Sequence, residues 1–339
     1  MKKYLFLVSV AALAMTACTN ESDEYVGSPE SREISFMPIN QMATRAAVDG
    51  TTFPTTSTMQ VAAYDATVGA NYFAPATFSN VAETATWTGN KYWPFTPATI
   101  NFLAYAELTE GSATWNATNP ASSVTLAMGD NKTAQKDLMY ACGTGTVTQS
   151  GNVLSFPTNV PMVFKHAQAW VKFTVKAGDA TSATAITVNS ITLNSVSCQG
   201  TYTVTHTNWD KTKAQRDADA SKNGSVAGVW SEYGTYATNV PAVKAAGYSA
   251  FSTSVQDFAS LMVVPNQGMA SFTINYTLGG NTYNYTYTPT STSLAQATKY
   301  TYNITLTVHE IVIAPTVTDW TPFDFDGETE GQQDQSVSI

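Results

Sequence analysis

Val171-Lys172-Phe173-Thr174-Val175-Lys176 alternates apolar and polar side chains without a break. Successive residues of a strand point to opposite faces, so Val171, Phe173 and Val175 share one face and Lys172, Thr174 and Lys176 the other. A period of 3.6 would mix the two sets. The same rhythm recurs upstream in Ile34-Ser35-Phe36, Met59-Gln60-Val61-Ala62-Ala63, Ile100-Asn101-Phe102-Leu103-Ala104-Tyr105 and Val124-Thr125-Leu126. Downstream it returns in Phe272-Thr273-Ile274-Asn275-Tyr276, and in Tyr283-Asn284-Tyr285-Thr286-Tyr287 after the turn signal Gly279-Gly280-Asn281. Tyr300, Tyr302, Ile304, Leu306 and Val308 continue it. Leu261-Met262-Val263-Val264 is apolar on both faces, as a strand between two layers would be. No helical period stands out beyond about three turns. The best helix candidate, 210–222, is polar all round and reads as a solvated loop or short helix. Many short strands with frequent turns predict an all-β protein made of β-sandwiches.

The 339 residues are enough for two such domains. Pro157 and Pro161 bracket a break between strand runs, which predicts one domain over 46–160 and another over 161–320. Only 12% of the residues are charged, where an ordinary domain has about a quarter. Thr, Ser, Asn and 17 Tyr fill the polar surface instead, and Thr and Tyr favour strands. Sixteen basic residues against 25 acidic ones exclude a nucleic-acid partner.

Chemistry-bearing motifs are scarce. The chain has no G-x-S-x-G elbow, H-E-x-x-H, Walker loop or zinc-spaced Cys pair. His166, His206 and His309 are far apart in sequence, each in or beside a strand-like run, and read as structural. Asp217 and Asp219 lack the Gly and Glu that an EF-hand loop requires. Neither an enzyme nor a cofactor or metal site is expected. Trp87, Trp93, Trp170 and Trp320 fall in strand-like positions and read as core, whereas Trp115, Trp209 and Trp230 lie in loop-like stretches and are candidate glycan contacts.

At the N-terminus, Lys2 and Lys3 precede an apolar run over 4–15, too short to span a bilayer but fitting a signal peptide over 1–17. Thr16-Ala17-Cys18 resembles a lipoprotein processing site, with Met15 where Leu is usual. That resemblance implies lipidation of Cys18 and attachment to the outer membrane. The acidic tether over 19–24 cannot pack and resembles the surface-export signals of Bacteroidetes lipoproteins. Cys142 and Cys198 remain, as either a disulfide or two buried thiols.

Several motifs then follow in a fixed order: Thr44-Arg45-Ala46; Trp87 leading to Lys91-Tyr92-Trp93-Pro94; the run from Ile100 to Ala106; and Asp137-Leu138-Met139-Tyr140-Ala141. Phe164-Lys165-His166-Ala167, Leu261-Met262-Val263-Val264-Pro265 and Lys299-Tyr300-Thr301-Tyr302-Asn303-Ile304 complete the series. It resembles the fimbrillin family, the subunits of type V pili in gut and oral anaerobes. The resemblance implies two transthyretin-like β-sandwich domains in tandem and a surface lipoprotein precursor. It also implies a trypsin-like protease that cuts after an Arg and removes the first strand, so that a C-terminal strand from the next subunit fills the groove.

In this sequence the removable strand is Glu33-Ile34-Ser35-Phe36-Met37-Pro38-Ile39, with Ile34, Phe36 and Ile39 as its apolar residues. Arg45, one of three arginines, precedes Ala46 among small residues, and cutting between them discards 18–45 and leaves 294 residues. A lost strand leaves an open ladder and an apolar trench, which a donated strand repairs. Four or five buried apolar side chains would contribute on the order of 6–15 kcal/mol before ordering costs. Donor candidates are Ile311, Ile313, Val317, Trp320, Phe323 and Phe325, the last two in the tail over 321–339. Pro315 and Pro322 would interrupt a continuous donor ladder, which argues for two short pieces. The implied partners are further copies of the chain or other fimbrillin subunits. The alternative is a tip adhesin, or a non-polymerising surface lipoprotein, that binds glycan or a host protein.

Overall fold

The computed structural model describes residues 32–39, 58–81, 86–133, 135–206, 226–234, 239–265, 268–290 and 293–320. Cys18, Arg45, Ala46, Trp209, Phe323, Phe325 and the helix candidate over 210–222 lie outside the described residues. The first part of the chain supplies β1 (Glu33–Ile39), β2 (Thr58–Asp65), β3 (Ala70–Val81), β4 (Thr86–Tyr92), β5 (Ala98–Ala106) and β6 (Gly111–Trp115). Next come β7 (Ser123–Met128), β8 (Met139–Ser150), β9 (Val153–Ser155), β10 (Val160–Val163) and β11 (Lys165–His166). The rest supplies β12 (Ala169–Ala177), the short helix α1 (Ala180–Ala185), β13 (Ile186–Asn194), β14 (Gly200–His206), β15 (Val226–Tyr233), β16 (Val240–Pro241) and β17 (Val243–Lys244). It ends with β18 (Gln256–Val263), β19 (Ser271–Leu278), β20 (Asn281–Tyr287), β21 (Thr298–Leu306) and β22 (Ile311–Asp319). The architecture is all-β, as the alternation predicts.

β12 obeys its sequence pattern. Val171, Phe173 and Val175 enter a core between the sheet β17-β18-β12-β21-β22 and the sheet β16-β13-β19-β20. Ile186, Val188, Ile191, Leu193, Phe272 and Ile274 close that core from the other side. Leu261 and Val263 of β18 face the same core, while Met262 points the other way, onto Trp170 and Trp320. That two-sided burial is why the run carries no polar residue.

The earlier strands build a larger sheet, ordered β10-β1-β4-β3-β2-β5-β8-β11 with β9 paired to β8. One face carries Ile34, Phe36, Phe78, Trp87, Trp93 and Phe102; the other carries Ala62, Leu103, Tyr140 and Cys142. A four-stranded sheet, β15-β14-β7-β6, packs against the second face. β14 and β15 come from residues 200–233, yet β14 pairs with β7 over Gly200↔Met128 through Thr205↔Ser123. Strand pairing thus crosses the boundary predicted near 160. The cause is burial: Tyr202, Val204 and Trp230 find their apolar partners on β5 and β8. Gly228 permits the close approach, because a Cβ there would run into the Tyr202 hydroxyl.

Cys142 and Cys198 are two separate buried thiols, which settles the alternative left open by the sequence. Burial pushes the Cys198 thiol up to about 12.

Candidate functional site

β1 lies inside a sheet. It runs antiparallel to β4, with Ser35 opposite Thr88 and Phe36 opposite Trp87, and parallel to β10, from Phe36↔Val160 to Ile39↔Val163. Ile34 and Phe36 are fully buried. The Phe36 ring meets Phe78 edge-on at 4.8 Å and Phe102 at 5.0 Å, and Phe102 in turn meets Trp93 at 5.9 Å. On the opposite face the Ser35 hydroxyl donates to the Thr158 carbonyl at 2.7 Å. Ile39 ends the strand opposite Val163.

The backbone grip on β1 is thin. Its ladder to β4 is broken by a register shift between Glu33 and Ser35, and its ladder to β10 contains Pro38 and Pro161, neither of which has an N–H to donate. Two fully buried side chains add to ladders that are irregular on both edges of the strand. Just before it, Arg32 is clamped: its guanidinium donates to the Trp93 carbonyl at 2.8 Å and lies 3.3 Å over the Phe95 ring. Val160, Met162 and Arg32 complete the slot, and Val160–Val163 overlaps the break between strand runs expected around Pro157 and Pro161. The signal was its apolar composition, masked by Pro157 and Pro161.

β22 presents the opposite arrangement. Among the described residues it pairs with β21 alone, from Thr298↔Asp319 to Leu306↔Ile311, with no register shift. Ile311, Ile313 and Val317 are half-buried, and Ile311 and Ile313 pack against their own core. These donor candidates close the sheet of their own molecule. Trp320 is buried at its end: its backbone N–H donates to the Ala297 carbonyl at 2.7 Å, and its ring stacks on His166 at 3.7 Å and 11° and lies 5.5 Å from Trp170.

His166 Nδ1 is hydrogen-bonded to Asp137 Oδ2 at 2.9 Å. The two side chains are 2% and 3% exposed and the Trp320 indole covers the imidazole, so no substrate reaches the pair. It works as a joint between the two halves of the chain. Gln296 adds to that joint, reaching the hydroxyls of Tyr202 at 2.7 Å and Tyr140 at 3.2 Å. Burial raises both phenols, Tyr202 well above the ordinary value.

Among the tryptophans, Trp87, Trp93, Trp170 and Trp320 are core residues, as expected. Trp230 corrects the glycan expectation: it is 3% exposed and its indole N–H donates to the Ala167 carbonyl at 2.7 Å. Trp115 is half-buried with its ring 5.7 Å from Tyr105. The structure brings neither into an open platform.

The profile of the fimbrillin-like family matches residues 44–320. The chain belongs to the fimbrillin-like family. It is therefore a structural component of a cell-surface fimbria and not an enzyme. A solved candidate cell adhesion protein from Bacteroides uniformis is similar at 17% identity and a TM-score of 0.50, covering 85% of this chain and 99% of its own. A fimbrial protein from Bacteroides vulgatus follows at 15% identity and 0.48, covering 86% and 100%. The tip fimbrial protein Mfa3 from Porphyromonas gingivalis gives 11% and 0.45, covering 85% and 100%. At these identities the likeness concerns the fold. No curated protein matches the chain.

Proposed function

We propose that this fimbrillin polymerises by exchanging the strand in the β1 slot. Cys18 carries the lipid that holds the precursor at the outer membrane, a trypsin-like protease cuts between Arg45 and Ala46, and β1 leaves. A neighbouring subunit's C-terminal segment then takes its place. The observation that carries this reading is a strand set between β4 and β10, packed by two buried side chains but poorly laddered. Arg32 favours Arg45 as the cut site, because it is clamped by Trp93 and Phe95 and lies before β1, where cleavage would leave the plug in place.

The donor begins after Trp320. β22 pairs with β21 along its length without a register shift and Trp320 is pinned at the joint, so extracting either would cost its own domain. Phe323-Asp324-Phe325 repeats the apolar-polar-apolar spacing of Ile34-Ser35-Phe36, and so does Val337-Ser338-Ile339. A segment of that pattern fits a slot that buries alternate residues. The test is to produce Arg45→Ala and the double variant Phe323→Ser, Phe325→Ser in the native host. Each should give folded surface monomers without the SDS-resistant ladder of the parent. Unchanged ladders in both variants would end the proposal.

A further inference from the structure

The geometry points to a second, lateral contact: β20 pairs edge-to-edge with β20 of another copy of this chain about a two-fold axis through Asn284. This contact does not depend on strand exchange, because β20 lies in the other sandwich and is present before any cleavage.

β20 terminates its sheet, pairing with β19 alone among the described residues. Most other terminal strands among the described residues are blunted in the usual ways, and the two that are not, β6 with five residues and β9 with three, are shorter. β16, β17 and β11 have two residues each, β10 carries Pro161, β22 carries Pro315 and Asp319, and β15 carries Glu232. β20 is the longest terminal strand with neither charge nor proline, and its register on β19 is unbroken. All seven of its residues are at least partly exposed, with Tyr283 at 44% and Tyr285 at 38%.

The sequence of this edge is its own mirror. Thr282-Tyr283-Asn284-Tyr285-Thr286 reads the same in both directions. Antiparallel pairing about Asn284 sets Asn284 against Asn284, Tyr283 against Tyr285, and Thr282 against Thr286, as an isologous interface requires.

The backbone is set for it too. Gly279 and Gly280 both have positive φ, 59° and 81°, and form a two-residue hairpin loop. Such a loop closes on a hydrogen-bonded pair, here Leu278↔Asn281. Alternation then directs the N–H and C=O of residues 281, 283, 285 and 287 to β19, and those of 282, 284 and 286 outward. Asn284 against itself and both Thr282–Thr286 pairs are therefore hydrogen-bonding positions, each exchanging two N–H···O bonds.

Side-chain ladders lead to the same axis. Asn189 Nδ2 donates to Asn275 Oδ1 at 2.8 Å, and Asn275 Nδ2 donates to Asn284 Oδ1 at 2.7 Å, forming a chain of amides across β13, β19 and β20. Thr273 and Thr286 hydroxyls lie 3.0 Å apart beside it. On the other face Tyr276 stacks on Tyr283 at 5.7 Å. Pairing would carry these ladders into the second copy. A chain of net charge −9 repels its copies least through a face that has no charge, and β13, β19 and β20 contain no charged residue.

The experiment is sedimentation of the uncut chain over a concentration series, beside two variants. The parent should show reversible monomer–dimer exchange, and Asn284→Lys, which sets like charges on the axis, should weaken it at least tenfold. Asn284→Cys should form a disulfide-linked dimer under mild oxidation, because hydrogen-bonded antiparallel partners have Cα atoms about 5.5 Å apart, within disulfide range. Val255→Cys, also solvent-exposed, at 61%, but away from the axis, should not. A monomeric parent at every concentration, or cross-linking of Asn284→Cys no faster than of Val255→Cys, would overturn the pairing.

Discussion

β1 and β22 are both peripheral in sequence and both lie against a sandwich core, but they are held by different forces. β1 has two fully buried anchors, Ile34 and Phe36, and a ladder interrupted by a register shift and two prolines. β22 has half-buried side chains and pairs with β21 from Ile311 to Asp319 without a register shift, Pro315 included. Any extended segment can make backbone ladder bonds, and the buried pockets then select for apolar spacing; a strand whose ladder is already interrupted is displaced at less cost than one paired without a register shift. Under the proposed exchange, β1 is the strand that leaves and β22 the strand that stays.

Four measurements on the uncut chain test how differently these regions are held. The largest effect belongs to Phe36→Ala, which leaves a cavity between Phe78 and Phe102 and should cost about 3–5 kcal/mol in urea unfolding. A loss under 1 kcal/mol would mean that packing does not hold β1. Asp137→Ala removes the carboxylate partner of His166 beneath Trp320, and should cost about 1–3 kcal/mol and raise hydrogen exchange at the Trp320 amide. Ile313→Ala, at a half-buried edge position, should cost only about 1 kcal/mol, well under the 2–5 typical of fully buried aliphatic positions. A cost equal to that of Phe36→Ala would erase the distinction between the strands.

The smallest effect is alkaline. The Cys198 thiol, pushed up to about 12 by burial, stays protonated in the fold after the unfolded chain's thiol ionises near 8.5. The folded state then holds more protons, so stability is constant below about pH 8.5 and declines toward 12. Cys198→Ala should flatten that decline in melting temperature. Both thiols should also resist alkylation until the chain unfolds.

Much of this was legible in residue order. Alternation in Val171 to Lys176 and in Ile34 to Phe36 fixed which side chains enter a core, because period two leaves no choice of face. A face does not name its partner, however. Nothing in Gly200 to His206 reveals that β14 joins β7, nor that Trp230, flanked by Val229 and Ser231, lies over the opposite sheet. Half-buried alternation in Ile311 to Val317 likewise suits a resident edge strand and a donated one equally. Asp137 and His166 met through a turn of the chain that no spacing rule encodes.

The central claim, that β1 is discarded and its place refilled, is tested most directly by the intact mass and N-terminal sequence of subunits taken from surface fibres. The account predicts a chain that starts at Ala46 and has lost 33–39. Fibre subunits that still begin at a lipidated Cys18, with Ile34 and Phe36 in place, would contradict it.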